Sequence, residues 1–258
     1  MSGASNDGND TRSGPKVRPE PLARPLARRF YTTAATVERD GRWSVELDGR
    51  PVRTPGRQGL SVATRALGVA LAEEWNGQGS HIDPGSMPLT RLVNTAIDGV
   101  RERKAEVALD VAKYAGSDLL CYRADRPEEL VARQRLVWDP PLAWMERQLG
   151  VRFKRQVGLM PVDQDAAVGD AVARVASDLD AFRLTALHVM TTLLGSAVLA
   201  VGVLRQHLTA EAAWDAAHVD EDWQIAEWGE DAEATLRRQK RWREMAAAAE
   251  LLRLLGPA

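Results

Sequence analysis

The first part of the chain alternates apolar and polar residues in short runs that are separated by turn dipeptides. Residues 43–47, Trp-Ser-Val-Glu-Leu, alternate as a half-buried strand does. Asp40-Gly41 and Asp48-Gly49 flank this run, and Asp-Gly in such a position is typical of a two-residue hairpin turn. The pattern therefore predicts an antiparallel meander and a fourth strand. The predicted strands cover 33–39, 43–47, 50–55 and 59–62.

Apolar residues at helical spacing follow the predicted sheet. Thr64 is placed to cap a helix that runs to about Trp75, where Asn76-Gly77 ends it. Helical spacing resumes at Met87-Pro88 and extends to about Tyr114. The sequence thus predicts two helical regions against the sheet.

A short apolar run, residues 118–123, is bounded by Gly-Ser and predicts a buried strand. The sheet and its helices then form an α+β domain over residues 30–123. Residues 124–258 have a helical period almost throughout and predict a second, all-α bundle domain. Its helices are predicted over 127–138, from there to about Leu149 after a break at Trp138-Asp-Pro-Pro141, and over 164–180, 182–206, 210–228 and 231–255.

One segment of the second domain is long and uncharged. Residues 184–204 carry no formal charge and are flanked by Arg183 and Arg205, a length that could span a bilayer. The segment contains several threonines and glycines and has no aromatic residues at its ends. We therefore expect a buried central helix without membrane insertion, in which Gly195 and Gly202 allow close helix packing.

Residues 1–29 are rich in Gly, Ser, Pro and Arg, and the first large aromatic residue is Phe30. This composition predicts a disordered tail. The tail lacks the apolar segment of a secretory signal, and Asp7, Asp10 and Glu20 do not fit a mitochondrial transit peptide. These features favour a bacterial cytoplasmic location, with the mitochondrial matrix as the alternative for a eukaryotic source.

Composition narrows the function classes. A formal net charge of −2 argues against general nucleic-acid binding. A single cysteine, Cys121, excludes an intramolecular disulfide and a Cys-rich zinc site. The four histidines lack metal-ligand spacing, and no glycine-rich phosphate-binding motif is present. We therefore expect no cofactor, no metal and no catalytic residues.

Acidic residues and tryptophans concentrate in 220–231, Asp-Glu-Asp-Trp-Gln-Ile-Ala-Glu-Trp-Gly-Glu-Asp. Nine acids and no Lys or Arg lie between Arg205 and Arg237. At about 100° per residue, Trp223 and Glu230 share one face of a helix, and a second face carries Trp228. This second face, with Glu221, Gln224 and Ile225, suits a surface for basic partner groups. Burial of both tryptophans in the core, flanked by solvated acids, remains open.

Seven motifs occur in register with those of a known family. Together they resemble the mitochondrial-type chaperone family that assembles the F1 head of ATP synthase by handling its alpha subunit, and the resemblance covers about residues 30 to 255. The motifs are Phe30-Tyr31, LDGRPVRTP (47–55), EEWNGQ (73–78), MPLTRLVNTAID (87–98), SDLLCYR (117–123), WDPPLAW (138–144) and DEDWQIAEWGE (220–230).

This resemblance implies a two-domain α+β fold that ends in an orthogonal helical bundle. It also implies a chaperone that catalyses nothing, binds the newly made F1 alpha subunit and prevents its aggregation until the beta subunit takes the same surface. We expect a monomer of the alphaproteobacterial branch. The candidate client-binding residues, by match to the family motifs, are Trp75, Gln78, Glu221, Gln224, Trp228 and Glu230.

Two alternatives belong to other classes. An enzyme with a site between the two domains would place strongly shifted acids in a deep cleft. A membrane-tethered assembly factor would use residues 184–204 as its anchor. A shallow surface of tryptophan and acids favours the chaperone over the enzyme, and simple fractionation would separate the membrane-tethered factor from both.

Overall fold

The computed structural model describes residues 25–158 and 160–257. The chain has an α+β fold, with short strands in the first part and helices dominating the rest. The strands are β1 (Ala27–Arg28), β2 (Ala34–Arg39), β3 (Arg42–Leu47), β4 (Arg50–Pro51), β5 (Ser61–Val62), β6 (His81–Ile82), β7 (Tyr122–Arg123) and β8 (Gln156–Val157). The helices are α1 (Arg65–Asn76), α2 (Pro88–Thr95), α3 (Lys104–Gly116), α4 (Glu128–Leu149), α5 (Ala166–Ser177), α6 (Ala181–Leu194), α7 (Ala197–Leu204), α8 (Ala210–Ala217), α9 (Val219–Trp228) and α10 (Ala232–Leu255).

The predicted meander is present as the sheet β2-β3-β4, with β5 paired to β3. Asp40 and Gly41, between β2 and β3, have φ of 52° and 71°, and Asp48 and Gly49 have φ of 46° and 79°. Positive φ at both central residues is the type I′ geometry, whose twist matches that of the flanking strands. Both Asp-Gly turns predicted from the sequence are therefore confirmed.

Helix α1 lies on this sheet and begins where the sequence predicts. The Thr64 hydroxyl accepts a hydrogen bond from the Leu67 amide at 3.3 Å and donates one to the Leu254 carbonyl at 2.8 Å. At Gly68, an added Cβ would lie 2.7 Å from the Thr36 methyl group. The helix can approach the sheet this closely because Gly68 has no side chain.

Ordered structure begins within the predicted tail. β1 pairs with β6, and the Arg29 guanidinium donates hydrogen bonds to the carbonyls of Tyr31 at 3.1 Å and Thr32 at 2.7 Å. It also lies 4.6 Å from the centre of the Tyr31 ring. The predicted disordered segment 1–29 therefore extends too far, because Arg29 finds partners in the folded body, while residues 1–24 lie outside the described part.

We expect removal of residues 1–24 to leave the thermal midpoint unchanged, since their composition offers few apolar side chains for a core. Removal of residues 1–29 should lower it by several degrees, because the Arg29 contacts to the 76–78 turn are lost as well. Differential scanning fluorimetry of the two truncations checks this. Equal midpoints would show that Arg29 contributes nothing to stability.

The run 118–123 is mostly not the predicted strand. Leu119–Cys121 form a 3-10 turn, and only Tyr122–Arg123 pair as β7, in parallel with β8. The Asp118 carboxylate accepts from the Leu120 amide, which holds the chain in a turn. Asp118 is thus an architectural residue at the entry to a turn.

Helix α4 continues through Pro140 and Pro141, where the sequence predicts a break. Trp138 is fully buried and donates a hydrogen bond from its indole nitrogen to the Ala216 carbonyl at 2.7 Å. Leu142 and Met145 are fully buried beside it. Burial of such side chains stabilises by about 1.5–3 kcal/mol each, enough to outweigh the helix-breaking tendency of proline.

The apolar segment 184–204 is buried, as expected, but it forms two helices. Gly195, with φ of 64°, ends α6, and Ser196 caps α7 by accepting from the Leu199 amide at 3.1 Å. Within residues 25–158 and 160–257, no helix is both long and apolar enough to cross a membrane. Gly202 is the glycine at a close approach, since an added Cβ would lie 2.9 Å from Leu208.

We expect Gly195→Ala to lower the free energy of unfolding by about 1–2 kcal/mol, because a non-glycine residue at this positive φ is strained. Space is not the cause, since an added Cβ meets nothing within 4 Å. Gly169→Ala is the matched control inside α5, where alanine should stabilise by about 0.5–1 kcal/mol. Urea unfolding of both variants tests the contrast, and equal effects would contradict it.

A continuous cluster of buried apolar residues runs from Tyr31 to Leu255. Helix α10 packs against α6, α1 and α2, so the end of the chain returns to the sheet-bearing part. β7 and β8 pair across the predicted domain boundary near residue 123. Packing against α6, α1 and α2 fixes the C-terminal half of α10 in the core. The N-terminal turns of α10 lie beside α9.

Candidate functional site

Helices α9 and α10 border an open cleft of about 480 Å³. Gly229, with φ of 88°, ends α9. Asp231 then caps α10 by accepting from the amides of Glu233 at 2.7 Å and Ala234 at 3.0 Å, and these hydrogen bonds lower the pKa of its carboxyl. The turn from Gly229 to Asp231 joins the two helices, and residues of both line the cleft.

Four of the six predicted site residues lie together in this cleft, namely Glu221, Gln224, Trp228 and Glu230. Trp228 is 80% exposed, so the alternative that both tryptophans are core residues is wrong for Trp228. Trp223 is partly buried on the other side of α9. Glu230 joins the cleft from the turn after the helix, which places it beside Trp228 and away from the Trp223 face.

The floor of the cleft is aromatic. The rings of Trp214 and Trp242 lie 5.4 Å apart at 59°, and Trp214 is almost fully buried. Neither tryptophan is among the site residues predicted from the sequence. Helical spacing places Thr235, Gln239 and Trp242 on one face of α10, but nothing in the sequence shows that this face meets α9 or Trp214 of α8.

The net electrostatic character of the cleft is negative. Its one arginine, Arg238, pairs with Asp222, and this carboxylate raises the pKa of the guanidinium. The charge of Arg238 is therefore already matched within the described chain. Glu230 accepts a neutral hydrogen bond from the Thr235 hydroxyl at 2.7 Å, which leaves its charge uncompensated by that contact.

His218 contacts both Trp214 in the aromatic floor and Glu221 in the acidic rim. Its Nδ1 lies 2.7 Å from the Trp214 carbonyl, and because a carbonyl only accepts, Nδ1 must carry the proton. Burial lowers the pKa of His218, so the ring is neutral at pH 7. Its Nε2 lies 3.7 Å from the Glu221 carboxylate, and a neutral ring does not cancel that charge.

The other two predicted site residues, Trp75 and Gln78, lie outside this cleft. Trp75 packs edge-on against Tyr31, with ring centres 5.7 Å apart. Gln78 is buried, donates to the Glu74 carbonyl and the Ser86 hydroxyl at 3.0 Å each, and accepts from the Asp83 amide at 2.7 Å. The side-chain hydrogen bonds of Gln78 thus all lie within the 74–86 segment of the chain itself.

Acids whose pKa is raised occur at structural positions. Burial raises the pKa of Asp118 to about 6 and that of Glu74 above its usual range, and both carboxyls accept backbone amides. Burial likewise raises the pKa of Cys121 to about 12, so this thiol is unreactive at neutral pH. Within the described chain, no group of three or more His, Cys, Asp or Glu side chains is placed to hold a metal ion.

An open cleft with an exposed tryptophan, an aromatic floor and an acidic rim is typical of a protein-binding surface. With its α+β fold, the chain has the features of a binding protein whose partner is another polypeptide.

Comparison with known proteins identifies the family. The model of the ATP12 chaperone protein family matches residues 28–146. The mitochondrial protein atp12 of Schizosaccharomyces pombe is 25% identical over 221 residues, which cover 81% of this chain and 76% of the yeast protein.

Solved structures of chaperone proteins are also similar to this chain. Atp12 from Paracoccus denitrificans has a TM-score of 0.84 and 40% identity, covering 89% of this chain and 99% of that one. A chain of Agrobacterium tumefaciens has a TM-score of 0.86 and 42% identity, covering 93% and 92%. The protein belongs to the ATP12 chaperone family, whose members are chaperones of ATP synthase assembly.

Proposed function

We propose that this protein binds the alpha subunit of F1 through the cleft between α9 and α10 and prevents its aggregation until assembly. Membership in the ATP12 chaperone family supports the assembly role, and the sequence resemblance supports the alpha subunit as the client. The observation that carries the site is Trp228, a large aromatic side chain that is 80% exposed in an acidic cleft.

Exposure of a tryptophan is unfavourable unless another surface covers it. A Trp side chain can bury up to about 250 Å² at an interface, and such residues dominate binding energy. Leu236, on the first turns of α10, is 52% exposed and widens the apolar area beside the cleft. A client would cover this area and release it when the beta subunit competes for the same alpha-subunit surface.

The acidic residues around the cleft indicate which groups on a client it would bind. The cleft that contains Trp228 is also lined by Glu221 and Glu230, and Glu227 directly precedes Trp228 in the chain. These acids give this end of the molecule a negative field. Basic groups on the client would be attracted over a Debye length of about 8 Å at physiological salt. The cleft therefore suits an apolar client segment with lysine or arginine residues at its edge.

An enzyme between the two domains is less well supported. The acids with raised pKa, Asp118 and Glu74, bind backbone amides and lie outside the cleft. The cleft itself is open and lined by tryptophans, and exposed aromatic residues of this kind are enriched at protein–protein interfaces. We further propose a monomer that acts in the bacterial cytoplasm, in keeping with its similarity to proteins of Paracoccus and Agrobacterium.

Charge reversal tests the site. We expect Glu221→Lys or Glu230→Lys to weaken alpha-subunit binding by about tenfold or more, because lysine would oppose basic client groups. Stability should change by about 0.5 kcal/mol or less, since both side chains lie at the surface. The readout is suppression of alpha-subunit aggregation by light scattering, after circular dichroism confirms folding.

Glu102→Lys provides the matched control, since Glu102 is an exposed acid in the 101–103 connection, far along the chain from α9. It changes the net charge equally and should suppress aggregation as the wild type does. Full suppression by both cleft variants would remove the acids from the site. Equal loss in the control would indicate a non-specific charge effect.

A further inference from the structure

Helix α10 lines a second groove of about 520 Å³ on the far side of Trp242. Its floor includes Leu89 and Ala247, which are almost fully buried, and its rim includes Ala246. Trp242 lines both the cleft and this second groove. The two depressions are therefore neighbours along one helix.

The two depressions share a continuous stripe of α10. Lining residues recur at Thr235, Gln239, Trp242, Ala246 and Glu250, at steps of three or four residues. Such steps keep side chains on one face, and the sixteen residues from 235 to 250 span about 22 Å. A single segment of a partner, extended or helical, is long enough to follow this stripe.

Interface size also favours the extension. Thirteen residues line the cleft and eleven line the second groove, with Trp242 common to both. A specific protein–protein interface involves about 20–30 residues a side, which is more than the residues that line the cleft. The twenty-three residues of the two depressions together reach that range.

The outer wall of the second groove is built by the end of α1. Glu74 accepts from the amides of Leu89 at 2.8 Å and Thr90 at 2.7 Å, which fixes the start of α2. One turn later, Gln78 holds the loop at Asp83 and Ser86. The 73–78 motif, which the cleft leaves unexplained, thus positions the loop that faces α10 across the groove.

We propose that the client surface continues from the cleft, across Trp242, into the second groove, and that one continuous segment of the alpha subunit occupies both. This inference rests on the proposed function. The segment places basic groups against the acidic rim at Glu221 and Glu230. Its apolar residues pack on Trp242, Leu89 and Ala247.

A filled groove tests the proposal. Ala246→Gln keeps the net charge and a good helix former while extending a side chain into the second groove. We expect alpha-subunit binding, measured by isothermal titration calorimetry, to weaken by about tenfold. Ala167→Gln, the same change at an exposed position in α5, should bind as the wild type does. Trp228→Ala reports on the cleft alone.

A label provides a second measurement that does not depend on Ala246→Gln folding well. A thiol-reactive, polarity-sensitive fluorophore is attached to Ala246→Cys and, as the control, to Ala167→Cys. Cys121 is buried and its pKa is raised to about 12, so it does not compete for the reagent. Adding alpha subunit should shift emission to the blue at position 246 and leave position 167 unchanged.

The outcomes separate the two proposals. Wild-type binding by Ala246→Gln, or an unshifted label at position 246, overturns the second groove. If Trp228→Ala still weakens binding in that case, the cleft and the proposed function stand. If Trp228→Ala also binds normally, the proposed function fails as well.

Discussion

Asp118→Ala is expected to lower the free energy of unfolding by about 3–5 kcal/mol. The Asp118 carboxylate is fully buried and accepts hydrogen bonds from the Leu120 amide at 3.1 Å, the Ser196 hydroxyl at 2.8 Å and the Val198 amide at 3.0 Å. It joins the 3-10 turn to the first residues of α7. Alanine would leave these donors without an acceptor. Because the site is buried, water could not take the place of the carboxylate.

A second capping aspartate gives the matched control. Asp231 accepts from two amides at the start of α10, and its carboxyl is exposed. Because water can replace it, Asp231→Ala should lower the free energy of unfolding by only about 1 kcal/mol. Urea unfolding measures both variants at pH 7. Equal losses would show that burial adds nothing to the Asp118 contribution.

The pH dependence of stability should identify Asp118 independently. Burial raises the pKa of its carboxyl from 3.8 to about 6 in the folded chain. Between these values the folded protein holds a proton that the unfolded chain has lost, so this group's contribution to stability falls as pH rises from about 4 to 6. The difference between wild type and Asp118→Asn should change over this window and be flat above it. A flat difference throughout would contradict the raised pKa.

Local chemistry explains which elements could be predicted from the sequence. The two Asp-Gly hairpins depend on four residues with positive φ, and those residues carry the signal themselves. The run 118–123 has strand-like composition, but its conformation is decided by Asp118, which bonds to Ser196 and Val198 far along the chain. Sequence spacing does not contain that contact.

The helices also differ in whether local residues or contacts with distant residues decide where they begin and end. The position of α1 could be predicted because its cap and its terminating glycine are adjacent residues. Pro140 and Pro141 predict a break in α4, yet the burial of Trp138 against Ala216 keeps the helix continuous. In the apolar segment, Gly195 was available as a helix-ending residue, but the lack of charge over 184–204 favoured one long helix.

The cleft could be predicted in part, because its acids and Trp228 are close in sequence. Helical spacing alone separates the Trp228 face of α9 from the Trp223 face. Trp214 and Trp242 come from α8 and α10, and only tertiary packing brings them under the rim. Gln78 and Trp75 were grouped with the site by family motif alone, whereas their contacts lie within the loop and sheet region.

Trp228→Ala is expected to weaken alpha-subunit binding by about 30-fold or more while leaving the fold intact. Truncation of a central interface tryptophan raises the free energy of binding by about 2–4 kcal/mol, and 1.4 kcal/mol corresponds to tenfold. In the free protein, Trp228 is 80% exposed, so its removal uncovers little core surface. The thermal midpoint should therefore remain within about a degree or two of the wild type.

Phe30→Ala is the matched control, because Phe30 is an aromatic residue that is 74% exposed and lies at the start of the sheet region, outside the cleft. If any exposed aromatic side chain traps unfolded client non-specifically, both variants should lose activity alike. If the cleft recognises the alpha subunit, only Trp228→Ala should lose it. Titration of purified alpha subunit, followed by tryptophan fluorescence and by suppression of aggregation, distinguishes these results. Normal binding by a folded Trp228→Ala protein would place the client surface elsewhere on the molecule.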